Sequence, residues 1–221
     1  MSTTVRSTSS GMSTVMLLAA AGVLFAVYPA LRPYTDETTL VGAEAMASTA
    51  WGLAHAAAMI GFILLPLALL GVRAGLADTQ GAAAAGAAYR TAWVGAGFVL
   101  PYYGGETFGL KAISDAALSG QDTELLTLAE TVRLDWLPGT FFAVGMLLLA
   151  AAGVLTARAV ARSGVMPGWA GIPLAAGLVL FIPQFFGPAA GRIGHGLLMA
   201  AGCLILAWAY FRRAGGQPTA S

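Results

Sequence analysis

Six apolar stretches run through the chain, at residues 15–31, 49–72, 88–108, 137–157, 169–186 and 193–211. Each is close to the ~20 residues that a helix rising ~1.5 Å per residue needs to cross a hydrocarbon layer. The pattern predicts an all-α fold, a polytopic membrane bundle of six transmembrane helices forming one domain over residues 15–211. The fifth stretch is the shortest. The first, following Arg6 and a Ser/Thr-rich start, resembles a signal peptide when read alone. It continues to Leu31 with no prompt small-x-small site, so an uncleaved helix is expected. Residues 1–14 are expected to be a flexible tail and residues 212–221 a second tail.

The polar positions are just as uneven. The stretch from Arg90 to Asp135 begins as an apolar helix, passes through Pro101-Tyr102-Tyr103-Gly104-Gly105-Glu106, and enters a long loop at 109–136. Six of the ten acidic residues fall between Arg90 and Asp135: Glu106, Asp115, Asp122, Glu124, Glu130 and Asp135. Leu110, Ile113 and Ala117 recur at helical spacing, with Gly120 as a stop. Asp122 or Thr123 is placed to cap a second helix through Leu125, Leu126, Leu128 and Val132. A helical hairpin follows, lying either over the mouth of the bundle or flat on the membrane interface.

Composition sharpens this picture. The chain is 58% hydrophobic and 10% charged, against about 25% charged in soluble domains. A net charge of +1 offers no polyanion-binding surface, which excludes nucleic acid as a partner. Cys203 is the only cysteine, so an intrachain disulfide, a cysteine-based zinc site and an iron–sulfur cluster are excluded. Diphosphate-binding Asp-rich motifs, HExxH, GxSxG and Walker sequences are absent. With the N-terminus inside, Arg6, Arg73, Arg90, Arg158, Arg162, Arg212 and Arg213 fall on the cytoplasmic side. Arg32, Lys111, Arg133 and Arg192 fall outside. This bias favours both termini inside. Trp51, Trp93, Trp136, Trp169 and Trp208 then all lie near an interface, as an aromatic belt would. In composition and layout the chain resembles the small polytopic membrane proteins of unassigned function of high-GC bacteria. That resemblance supplies no motif and no site, and nothing is carried over from it; the expected location is a bacterial cytoplasmic membrane, crossed several times.

Two passages repeat. His55, Met59, Leu64 and Arg73 are matched at identical spacing by His195, Met199, Leu204 and Arg213. Pro29, Pro101 and Pro183 stand near the outer ends of the first, third and fifth stretches. Together they suggest three helical hairpins. Leu149-Ala-Ala-Ala-Gly-Val-Leu155 copies Leu18 to Leu24 in a stretch that would cross the membrane the opposite way, so part of the likeness is compositional.

Candidate chemistry gathers at the outer end. Ionisable residues at membrane depth are costly, and they mark functional candidates by default. His55 and His195 lie at similar depth. Tyr102, Tyr103 and Glu106 close the third stretch, Gln184 the fifth, and Arg192 opens the sixth. The histidines are read as helix-bridging groups, as the lining of a substrate or proton path with Glu106, or as axial ligands of one haem. A zinc site would need Glu106 as third ligand. Glu106 is read as a proton donor or as a neutralising partner for Lys111 or Arg192, and Lys111 with Asp115 as a surface pair. Pro101 and the glycine pair allow the helix to bend or unwind. Gly95, Gly97, Gly145, Ala152 and Gly177 are expected to let helices approach closely. The leading expectation is an outward-facing pocket that binds or passes a small apolar or amphipathic molecule, with the bilayer as the surrounding partner. Here His55, His195 and Glu106 are anchors, and Tyr102, Tyr103, Gln184 and Arg192 complete the site. The alternatives are an intramembrane enzyme (haem-linked, or acid–base with Glu106 as catalytic donor) and an accessory subunit of a membrane complex.

Overall fold

The computed structural model describes residues 3–215, with side chains over residues 11–213. The tail residues 1–2 and 216–221, and the Arg6 side chain, lie outside the described residues. In chain order the helices are α1 (Thr3–Leu31), α2 (Leu40–Ala47), α3 (Thr49–Gly75), α4 (Ala82–Gly104), α5 (Leu110–Gly120), α6 (Thr127–Leu134), α7 (Trp136–Ser163), α8 (Ile172–Val179) and α9 (Ala189–Gly215). Helix α1 thus begins inside the segment expected to be a flexible tail. No strand occurs among the described residues.

Four helices are long and apolar enough to cross a membrane: Gly11–Leu31, Thr49–Gly75, Trp136–Ser163 and Ala189–Arg213. The expected segments 88–108 and 169–186 differ. Helix α4 has 23 residues, but its sequence is rich in Ala and Gly and contains Arg90. The segment 169–186 is not one helix. After α8 the backbone loosens at Leu180–Ile182 and tightens into a 3₁₀ turn at Pro183–Phe186. Pro183 has no N–H to continue the α-helical ladder, which accounts for the break.

The six elements α1, α3, α4, α7, α8 and α9 close into a ring in which each packs on the next and α9 returns to α1. Neighbours run antiparallel. Gly22 meets Cys203 while Gly196 meets Phe25 and Pro29; Gly95 and Gly145 face each other, and Gly145 meets Val99. Consequently Tyr28, Trp51, Tyr103, Phe142, Phe185 and Arg192 share one end of the ring. The core between the helices is built from Leu18, Phe25, Phe62, Leu65, Leu149, Leu174 and Met199.

A second, smaller core caps that end. Ala43 and Met46 of α2 pack with Trp51, with Leu110 and Ala117 of α5, and with Leu126 and Ala129. The loop hairpin therefore docks on the bundle, joined by α2. Gly120 does end α5, and the left-handed turn falls on Gln121 (φ 49°). Asp122 then caps the next turn by accepting from the Glu124 N–H.

Small residues at the α4–α7 seam set its closeness. A methyl at Gly145 would come within 2.5 Å of Val99 and 3.0 Å of the Gly95 carbonyl, whereas one at Gly97 meets nothing within 4 Å. Gly97, expected at an interface, therefore faces open surroundings. Gly145→Leu should lower unfolding stability by about 1–3 kcal/mol through overpacking, while Gly97→Ala should be neutral or slightly stabilising. Thermal unfolding in detergent reads both, and equal Tm values for the two variants would contradict this packing.

Candidate functional site

The site starts from a local fault in a helix. Past Pro101 the backbone widens into a π turn at Gly105–Gly109, where the Leu110 N–H bonds the Gly105 carbonyl. That skip deprives the Glu106 carbonyl of its ordinary partner at Leu110. The Trp51 indole N–H takes its place at 2.7 Å. Widened turns of this kind often mark functional positions. The same bond explains why Trp51 is fully buried rather than in an interfacial belt: its one polar atom is satisfied inside. The indole is also covered on its faces. The His55 ring lies 4.5 Å away and the Arg32 guanidinium 4.4 Å over it. Trp93, Trp136, Trp169 and Trp208 are exposed.

From Glu106 a charge ladder crosses the cap. Arg133 Nε and Nη2 donate to the two Glu106 carboxylate oxygens at 2.7 and 3.0 Å. Arg133 Nη1 reaches Glu37 at 2.6 Å, and Glu37 is held from its other side by Arg32 at 2.6 Å. This two-pronged grip is the geometry in which guanidinium recognises carboxylate best. Burial would raise the Glu37 carboxyl, but the Arg133 and Arg32 charges outweigh it and hold it below its ordinary value. Arg133 is pulled down by burial and pushed further up by Glu106 and Glu37, so it stays charged. His55 lies behind Glu106, with Nε2 3.8 Å from the carboxylate, beyond a hydrogen bond. Its Nδ1 is 2.9 Å from the Trp51 carbonyl. A carbonyl only accepts, so Nδ1 carries the proton.

These groups line one cavity of about 400 Å³ at the capped end of the ring. Its polar side is Arg32, Glu37, His55, Glu106, Arg133 and Arg192, and its hydroxyls come from Tyr28, Tyr102 and Tyr103. Its apolar side is Leu134, Phe142, Ile182, Phe185 and Phe186. Both long and broken ring elements contribute. The Tyr103 hydroxyl is buried, with the Tyr28 hydroxyl as its polar neighbour and no close hydrogen bond.

Of the residues singled out in the sequence, His55, Tyr102, Tyr103, Glu106 and Arg192 meet at this cavity. Gln184 and His195 are not on its wall. His195 instead places Nε2 2.7 Å from the Gly177 carbonyl of α8, with its ring edge-on to Phe181 at 5.0 Å. The matched spacing of the two histidines sets their position along a helix, not their neighbours. Between the two imidazoles runs a file of rings in contact, Tyr103, Phe62 and Phe181. A haem would need that space, and the His195 nitrogen nearest α8 is engaged, so the bis-histidine arrangement does not fit. Among the described residues no three His, Cys, Asp or Glu side chains are placed to hold a metal ion.

Glu106 pairs with neither Lys111 nor Arg192. Lys111 bonds Asp115 at 3.0 Å on the surface. Arg192 bonds the Phe185 and Gly187 carbonyls. The true partner, Arg133, and its second anchor, Glu37, escaped sequence reasoning. One signal was present: Arg133 follows Ala129 by one helical turn, and so shares the face that α6 turns inward. In comparisons with protein-family models, curated proteins and solved structures, none matches this chain.

A carboxyl held below its unfolded value stabilises the fold above the ordinary carboxylate range, and that contribution fades as pH falls through it. For Glu37 this predicts that the cap loosens under acid before the ring does. Amide exchange in α2 and α6 should report loosening as pH drops below about 4. In Glu37→Gln the cap should be less protected at neutral pH and its acid response should shrink. Cap protection that ignores pH in the parent chain would contradict the ladder.

Proposed function

We propose that this chain is an integral membrane protein crossing the bilayer six times, whose cavity faces outward and binds or passes a small apolar or amphipathic molecule. The observation that carries the reading is the cavity itself. It has a polar side and an aromatic side at the capped end of a helix ring, a mixture suited to an amphipathic guest. Four of the ring elements have the length and apolarity of spans. Helix α4 and the broken α8 segment complete the six. Their irregular backbone lies against the cavity, where non-helical geometry at membrane depth is tolerated. The ring exposes Val23, Leu53, Ile60, Leu147, Val154, Leu197 and Leu204, a surface suited to lipid.

Orientation follows from charge. Arg73, Arg90, Arg158, Arg162, Arg212 and Arg213 belong to the end opposite the cap, which on the positive-inside rule faces the cytoplasm. Both termini are then cytoplasmic, in a bacterial inner membrane, and the cap is outside. The buried Cys203 is the only cysteine, so labelling starts from a silent background. Ser119→Cys on the cap should react with a membrane-impermeant maleimide in intact cells. Asp78→Cys in the α3–α4 connection should react only after permeabilisation. The opposite pattern would sink the orientation.

The cavity is tested by plugging it. Gly139 lines it, and a Cβ there meets nothing closer than 3.8 Å. Gly139→Leu should leave Tm near that of the parent and strip the protein of its bound small molecules, read by mass spectrometry of extracts from detergent-purified protein. Unchanged small-molecule content in the plugged protein would overturn the reading.

A further inference from the structure

The charges on the cavity wall do not cancel. Three guanidiniums, Arg32, Arg133 and Arg192, face two carboxylates, Glu37 and Glu106. Arg133 is saturated between both carboxylates, and Arg32 shares Glu37. Arg192 is left over. It forms no ion pair among the described residues and donates only to the carbonyls of Phe185 at 2.6 Å and Gly187 at 3.3 Å. Carbonyl dipoles orient a guanidinium without neutralising it. Its third nitrogen, Nη1, makes no hydrogen bond among the described residues. The guanidinium packs near the rings of Tyr34 and Phe185, at 5.7 and 5.8 Å. An unneutralised charge on a wall walled by low-dielectric rings attracts an anion more strongly than the same charge in water.

A second feature points the same way. Tyr103 is 1% exposed and lines the cavity, and its hydroxyl has the Tyr28 hydroxyl beside it but no close hydrogen bond. A buried donor left unmade is costly, and native structures rarely keep one without a reason. The side of the wall from Leu134 and Phe142 to Phe185 and Phe186 is apolar. On the outer flank of α4 and α7 a second, almost wholly apolar hollow of about 210 Å³ is lined by Pro101, Val132, Leu137 and Phe141. Tyr102 belongs to both hollows.

Resting on the reading that the cavity takes an amphipathic molecule, we infer that its ligand is an amphiphile with one anionic head, a carboxylate or a phosphate ester, held by Arg192. The guanidinium receives the head, the phenols supply further donors, and the aromatic wall covers the tail. The ladder of Arg32, Glu37, Arg133 and Glu106 is internally matched and holds the mouth in shape. The anionic head satisfies the residual charge, which a neutral or cationic head would leave or worsen.

The test is a charge series at constant tail length on the full chain in a non-ionic detergent. Decanoate, decyl phosphate, decanol and decyltrimethylammonium are titrated, with acetate and inorganic phosphate as head-only probes, and the shift in Tm is read. Decanoate or decyl phosphate should stabilise the protein, and the comparison between them names the head. The neutral and cationic probes should not. Arg192→Gln should weaken the anionic probe about tenfold, the scale of one lost charge-assisted pair, and Arg192→Lys should recover part of it. Equal response to decanoate and decanol, or a preference for the cation, overturns the inference while leaving the cavity reading standing. Full response to acetate or inorganic phosphate alone also overturns it, since the tail would then be idle. No response to any tailed probe in the parent chain, matching Gly139→Leu, removes the cavity reading itself. Should Arg192→Gln fail to fold, the charge series on the parent chain decides.

Discussion

The bidentate grip of Arg133 on Glu106 is the interaction on which the capped end depends. Glu106 is bound to the bundle twice, through its carboxylate and through its backbone carbonyl. The carbonyl is free to accept from Trp51 because the helix widens just there. The carboxylate ties down Arg133, which brings α6 over the ring, and Arg133 in turn reaches Glu37 in the connection after α1. Three segments distant in sequence are thus held by one guanidinium. Removing such a partner from a buried pair costs more than the pair contributes, because a stranded charge remains. Loss of any one of these charged groups is therefore felt by the others in the cap.

The arrangement also decides what Glu106 can do. A carboxylate with both oxygens accepting from an arginine is in an acceptor's role, and its geometry is that of a strut. His55 stands 3.8 Å behind it and is oriented by the Trp51 carbonyl. These groups therefore shape one side of a cavity, and its free polar capacity lies elsewhere, at Arg192 and Tyr103. The distinction between satisfied and unsatisfied groups is what separates scaffold from site here. Ionisable residues alone would have ranked all of them together.

Packing explains how so irregular a ring closes. The α4–α7 seam is built on glycine facing glycine, which lets backbones approach, and α8 is held to α9 where Gly177 meets Met199 and Gly202 meets Leu174. His195 adds a polar clip between those two helices. Such a clip is of most value beside a helix that Pro183 interrupts, since nearby backbone groups there lack the regular ladder. The second histidine is thus part of what holds the broken element in place.

The helical class of the protein and the place of its polar end are legible in the chain alone. Long apolar runs with few charges can be stable only as helices shielded from water, and the clustering of acids into one loop marks which end is different. The loop hairpin, its Gly120 end and its Asp122 cap were legible because turn and cap chemistry is local. What stayed hidden was every relation between distant segments. Hydropathy cannot show that Trp51 turns inward, because burial of an indole depends on a carbonyl fifty-five residues away. It cannot pair Arg133 with Glu106 and Glu37, since any outer acid was a possible partner. It gave the two histidines one meaning because their spacing agrees, while the ring sends one to a cavity and the other to a helix seam. Periodicity records which face of a helix a residue occupies, and only the tertiary structure decides what that face meets.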